Sequence, residues 1–543
     1  MGFSVRSRAL PLAFVAAAVV LLAVPALAAA RSYVVVFKSG RPAAGLKAVK
    51  AAGGKAVSVN RKVGVATVRS SRATFLRSLR SSGAVKSAAR EAFFYESQPV
   101  KAKASAIVPA PDPATAAAGC SAFYSGAHVD VPSGPEPLSS CQWDMRMINA
   151  TTDGSYAVDQ GEGARVGIID TGLDLQHPDI EPNLDLGASC SFVRADTPTS
   201  VPEEQATSCA DKDAVQDYAG HGTHVGSTVA APINGVGISG VAPKATLVGL
   251  HAGTANGYFF TQPVVDALTT AADEELDVVN MSFFADPYLY NCRNDAQQRT
   301  IVEAIRRASA YAAKRGVVQI AAAGNEFTDL THPKADTISP DYPPGSEVER
   351  VVHRNCIVLP DQLPNVADVS AVGPMGQLSF YSNYGMGQIT VAAPGGSSGQ
   401  APNPYGRDLA AYTTTPAFPE GSDINPPDPV FTTPGRRVED CVNKAGDRCA
   451  VYGWIQGTSM ASPHAVGVAA LIRAQHPGMS APAVLSTLSR TAMSLSCPTE
   501  PDPFFTIPEN IEAGFVAPEC KGGGRNTSFY GAGLVDAWSA ASH

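Results

Sequence analysis

The N-terminal part of the chain alternates short apolar runs with short mixed ones. Residues 32–37, Ser-Tyr-Val-Val-Val-Phe, are apolar at nearly every position and predict a buried strand. Residues 44–52 carry helix-forming spacing, 56–70 predict a hairpin, 73–79 a second helix and 92–95 a last strand. Further on the pattern changes scale. Apolar strands at 165–169, 246–249, 278–282 and 317–322 are separated by helical stretches opening at His221 and covering 264–272 and 300–314. Strands joined through helices predict an α/β fold, a mostly parallel sheet with helices on both faces. Proline-rich tracts at 331–349 and 397–437 break this alternation and read as long surface loops.

These patterns divide the chain into four parts: 1–30, 31–98, 99–140 and 141–543. In residues 31–98 the order β-α-β-β-α-β is the ferredoxin-like α+β arrangement. Residues 99–140, rich in Ala, Pro and Ser, read as a linker or N-terminal extension, an exposed connection. Residues 1–30 place Arg6 and Arg8 before an apolar run containing Pro11 and Pro25, and end in two small-residue A-x-A sites. That is the layout of a secretory signal peptide, which implies export and no membrane attachment once it is removed. Ten cysteines and no CxxC pair fit an oxidising compartment and disulfides. Pairing of sequence neighbours is one connectivity among many, and spacing alone does not select it.

Charge is unevenly distributed. The whole chain carries a net −8, yet residues 31–98 hold 14 Lys+Arg against 2 Asp+Glu, leaving −22 on residues 99–543. A basic unit beside an acidic body implies mutual attraction, and an acidic body gives no reason to expect nucleic acid as a partner.

Three segments concentrate the chemistry. The strand 166–169 ends in Asp170-Thr171-Gly172, and the ends of strands in α/β sheets are where active sites collect. Gly220-His221-Gly222-Thr223-His224 delivers an imidazole into a helix. Gly457-Thr458-Ser459-Met460-Ala461 puts a serine at a tight turn, followed by a helical run. A nucleophilic serine needs a base within reach and a carboxylate to orient that base, and these segments supply all three. A zinc site on His221 and His224 lacks the His-Glu-x-x-His spacing that zinc peptidases require.

With these motifs, in the order Asp…His…Ser, the chain resembles the subtilisin-like serine peptidases over residues 142–540. The resemblance implies an endopeptidase acting on protein or peptide substrates, with Ser459 as nucleophile, His221 as base and acid, Asp170 as its orienter and Asn325 as oxyanion donor. It implies a substrate cleft lined by Ser282, Phe283, Phe284 and Gly324. The family's strand there reads Ser-Leu-Gly-Gly, so Phe284 places a ring where the family has glycine. The chemistry requires no cofactor. A structural calcium is implied at Asp179 and Asn234, both with hard oxygens. The basic unit 31–98 resembles the family's inhibitory propeptide, with cleavage expected within 95–105.

Overall fold

The computed structural model describes residues 31–90, 107–124, 132–401, 404–414 and 429–543. The signal peptide expected at 1–30 and the processing segment expected at 95–105 lie outside the described residues.

The N-terminal unit is a four-stranded antiparallel sheet covered by two helices. Its strands Arg31–Phe37, Lys55–Asn60, Val65–Ser70 and Val85–Arg90 are ordered second, third, first, fourth across the sheet. Among the described residues the last strand of this unit is Val85–Arg90, which the sequence pattern does not announce; the strand expected at 92–95 lies outside the described residues. Helices Pro42–Ala51 and Phe75–Arg80 cover one face, where Tyr33, Val35, Phe37, Phe75 and Leu79 are buried. The alternate residues Val34 and Val36 turn to the opposite face, in keeping with the two-residue period of a strand. There they join the core formed by Val265, Leu268, Ile301 and Ile305 of two body helices.

The body is built on a seven-stranded parallel sheet. In spatial order its strands are Val391–Pro394, Val366–Val372, Val318–Ala322, Val278–Met281, Arg165–Asp170, Thr246–His251 and Cys190–Ser191. Helices Thr261–Asp273 and Gln298–Lys314 cover the face that the N-terminal unit sits against. Helices His221–Ala230, Thr458–Gln475 and Ala481–Thr491 pack on the other face, in the core of Val166, Ile168, Val225, Val466 and Leu471. Arg165–Asp170 comes first in sequence among these strands but lies inside the sheet. The chain therefore winds in both directions from it, which leaves a crevice at the strands' C-terminal ends.

Two expectations about connections need correction. The linker region contains a helix, Pro113–Tyr124, tied to the body by the Cys120–Cys141 disulfide and packed against Trp143, Leu409 and Trp454. The tract 397–437 contains the buried strand Asp408–Tyr412, which pairs with Arg448–Ile455 and through it with Arg437–Ala445 in a three-stranded antiparallel sheet. Proline marks the flanks of that strand and not the strand itself. All five disulfides join sequence neighbours: Cys120–Cys141, Cys190–Cys209, Cys292–Cys356, Cys441–Cys449 and Cys497–Cys520.

Candidate active site

Asp170 is the last residue of its strand and is fully buried. Its Oδ1 accepts a hydrogen bond from Thr171 N–H at 2.8 Å and lies 2.7 Å from His221 Nδ1. With the proton on Nδ1, the imidazole donates to Asp170 and leaves Nε2 as the free base. The helix that carries His221 starts hard against the turn after Asp170. A Cβ on Gly222 would lie 2.1 Å from Gly172 O, so only glycine permits this approach. Gly222 N–H then donates to Thr171 Oγ1 at 3.0 Å.

A second carboxylate fixes this junction. Buried Asp217 accepts from Thr171 Oγ1 at 3.0 Å, from the N–H groups of Ala219, Gly220 and Thr223 at 2.9 Å each, and from Thr223 Oγ1 at 2.6 Å. Burial pushes its pKa up while these hydrogen bonds pull it back. The sequence reading passed over Asp217, although its place four residues before His221, with Gly220 between them, is a turn signal.

The electrostatics separate the two neighbouring histidines. At His221 burial disfavours the charge, but the charge and hydrogen bond of Asp170 outweigh it and the pKa rises above 6.5. At His224 burial and the nearby His221 push it down to about 3. His224 Nε2 lies 3.1 Å from Gly453 O, so this ring stays neutral and is held by the backbone.

Ser459 is the second residue of the helix Thr458–Gln475, where backbone N–H groups lack intrahelical partners and the helix dipole is positive. Its Oγ donates to Ser282 O at 3.3 Å, and Ser282 Oγ donates to Ser459 O at 2.8 Å. Among the described residues no hydrogen bond joins Ser459 Oγ to His221. Both side chains line one cavity of about 390 Å³, together with Ser282, Phe283, Phe284, Gly324 and Asn325. Asn325 Oδ1 accepts from Thr458 N–H at 2.9 Å and Thr458 Oγ1 at 3.0 Å, which commits its oxygen and leaves the Nδ2 amide as the donor for a ligand. Gly324, at φ +101°, makes the turn that presents Asn325, and its N–H donates to Thr458 Oγ1 at 3.0 Å.

Phe283 stacks on Phe259 with centroids 4.2 Å apart and planes 5° from parallel. Phe284 is half-buried, packs toward Leu289 and Tyr290, and still lines the cavity.

Asp179 and Asn234 are adjacent, but they use their oxygens differently. Asn234 Nδ2 donates to Pro178 O at 3.0 Å and its Oδ1 accepts from Val236 N–H at 2.9 Å, closing its own turn. Asp179 Oδ2 accepts from Ile238 N–H at 3.2 Å, while its Oδ1 is buried without a partner. Glu136 is 3% exposed; burial raises its pKa against the pull of the Gly235, Val236 and Asn234 N–H groups, and its charge adds to the burial that raises the pKa of Asp179. Two neighbouring buried carboxyl groups, with Asp179 Oδ1 left without a partner, offer oxygen donors of the kind calcium takes, so Asp179 and Glu136 fit it. Glu136 escaped the sequence reading because it lies in the stretch read as a linker.

Residues 161–533 match the family model of the subtilase family. The chain belongs to that family. Subtilisin E of Bacillus subtilis (strain 168) is 26% identical over 335 residues, 62% of this chain and 62% of the relative. The thermophilic serine proteinase of Bacillus sp. (strain AK1) is 28% identical over 329 residues, 60% of this chain and 56% of the relative. The alignments thus span about six-tenths of these curated relatives. Among solved structures, the epidermin leader peptide processing serine protease of Staphylococcus aureus has a TM-score of 0.59 at 21% identity, covering 94% of this chain and 98% of that one. Fervidolysin of Fervidobacterium pennivorans has a TM-score of 0.56 at 20% identity, covering 95% and 61%. At such identities these structures establish the fold.

Proposed function

We propose that the chain is a secreted serine endopeptidase, made as a precursor and activated by removal of residues 31–98. The observation that carries this reading is the buried Asp170 bonded to His221 on the rim of a cavity that also contains Ser459 and Asn325. Ser459 Oγ attacks the scissile carbonyl as His221 Nε2 takes its proton. Asp170 keeps Nδ1–H in place and stabilises the imidazolium. The oxyanion is met by the Ser459 N–H at the positive end of its helix and by Asn325 Nδ2. His221 then protonates the leaving amine, and water repeats the sequence on the acyl-enzyme.

The N-terminal unit fits an inhibitor held by its charge. Asn60 Nδ2 donates to Asp266 Oδ1 at 2.8 Å and Thr269 Oγ1 at 2.7 Å. Lys62 pairs with Asp273, and Lys86 with Glu303 at 2.5 Å. Arg307 donates to Phe37 O at 2.8 Å and Val63 O at 3.0 Å. Burial opposes ionisation of Glu303, yet Lys86, Arg306 and Arg307 bring its pKa down to about 2. Calcium, held by Asp179 and Glu136 beside the Asn234 turn, would neutralise buried charge in a loop that follows the His221 helix and take no part in the chemistry.

Casein or peptide substrates and a p-nitrophenyl ester, assayed side by side with an N-terminal sequence of the active form, test this reading. Peptide-bond hydrolysis with a new N-terminus within 95–105 is expected. Ester hydrolysis alone would contradict it.

A further inference from the structure

The cavity beside Ser459 has a second end that the reaction does not use. It is walled by the aromatic rings of Tyr258, Phe259 and Phe283 and closed by Asp286 and Asp341. The two carboxyl groups interact directly: burial, then the charge and hydrogen bond of Asp341, raise the Asp286 pKa well above the carboxylate range, and burial raises that of Asp341 as well. Asp286 Oδ2 also accepts the N–H of Phe259, which ties the pair to the aromatic wall. Asp341 is held against Asp286 on one side. Its Oδ1 is buried and no N–H or hydroxyl reaches it. The other charges acting on it, Asp336 and Glu347, are negative as well. Among the described residues, the cavity lining holds Asp286, Asp341 and Glu326 but no lysine or arginine. Glu326 is engaged elsewhere, accepting from Asn383 Nδ2 at 2.7 Å.

A carboxyl group with one oxygen left over, in a cavity lined by aromatic rings and further acids, lacks a cation. A lysine or arginine side chain supplies one in the required form, because its aliphatic stem lies along aromatic faces while its head reaches the acid. We infer that this end of the cavity selects substrates carrying a lysine or arginine side chain near the scissile bond, with Asp341 as the specificity-determining residue and Asp286 holding it in place. The inference rests on the peptidase reading above and adds the substrate class. The chain's own sequence is consistent with it: the segment expected to be cut, 95–105, contains Lys101 and Lys103. A mainly apolar preference would leave Asp341 Oδ1 without a partner in the enzyme–substrate complex.

The experiment compares kcat/KM across matched peptides that place Lys, Met or Glu at each of the positions preceding the scissile bond, one at a time, with wild-type enzyme, Asp341→Asn and Asp286→Asn. At one position wild type should prefer Lys over Met by at least about tenfold, with Glu the poorest, and the Lys:Met ratio should fall as salt is raised. Asp341→Asn should bring that ratio below about threefold. A wild-type ratio below about threefold at every position overturns the inference even if neither variant folds. So does a preference that survives both substitutions. If wild type cuts none of the peptides, the peptidase reading itself has failed, an outcome distinct from cleavage without preference.

Discussion

Arg307→Ala isolates the contact between the N-terminal unit and the body. The side chain sits on the Gln298–Lys314 helix, 13% exposed, and gives two charge-assisted hydrogen bonds to carbonyls of the other unit, Phe37 O and Val63 O. Hydrogen bonds to charged groups contribute about 1.5–3 kcal/mol each when buried. This site lies at an interface edge where water can enter after truncation, so we take about 1 kcal/mol for each bond, the central value for an ordinary net hydrogen bond. The expected loss is about 2 kcal/mol, or roughly 30-fold in inhibition constant. Glu303 keeps Lys86 and Arg306 as partners, so the body helix is not left with an unpaired carboxylate. The assay adds residues 31–98 to active enzyme lacking them and follows hydrolysis of a peptide substrate. Arg306→Ala is the control: it is 46% exposed and bonds to Glu303 of its own helix, and should change inhibition by less than about threefold. Equal inhibition of wild type and Arg307→Ala would refute the assignment of this interface, and inhibition that does not weaken with salt would refute its electrostatic part.

Catalysis requires neutral His221, whose pKa is raised above 6.5 because Asp170 outweighs burial. The acid limb of the kcat/KM–pH profile should therefore have its midpoint above 6.5, and in Asp170→Asn, with burial unopposed, the midpoint should fall as activity drops; an unmoved midpoint contradicts the coupling. Calcium should raise the melting temperature by a few degrees, a chelator should reverse this, and Glu136→Gln should remove the response. Phe284→Gly should broaden substrate preference by at least about tenfold, read as kcat/KM over peptides varied one residue at a time. Parallel profiles would show that the ring does not shape the cleft.

The sheet and the candidate catalytic motifs are legible because each is written locally. A run such as 165–169 declares a buried strand, and Asp170, His221 and Ser459 sit in short glycine-flanked motifs whose order is distinctive. The helix Pro113–Tyr124 was not legible, since alanines and glycine give it no apolar stripe; its position depends on the Cys120–Cys141 bond and on Trp143 and Trp454 far along the chain. The strand Asp408–Tyr412 was hidden by the prolines around it, and the strand Val85–Arg90 by the lysine, serine and arginine in it. Glu136, Asp286 and Asp341 belong to no motif. Their roles arise from contacts between segments distant in sequence, as when Asp341, in a tract read as a surface loop, meets Asp286 at the cavity.

Ser459→Ala tests the central claim most directly. The substitution deletes one hydroxyl, whose bond is a 3.3 Å contact to Ser282 O, and so removes the nucleophile while disturbing little packing. Secreted protein should retain the wild-type circular dichroism, lose peptidase activity by several orders of magnitude and accumulate as uncut precursor if removal of residues 31–98 is its own work. Activity within about tenfold of wild type, in a protein that has folded, would contradict the account.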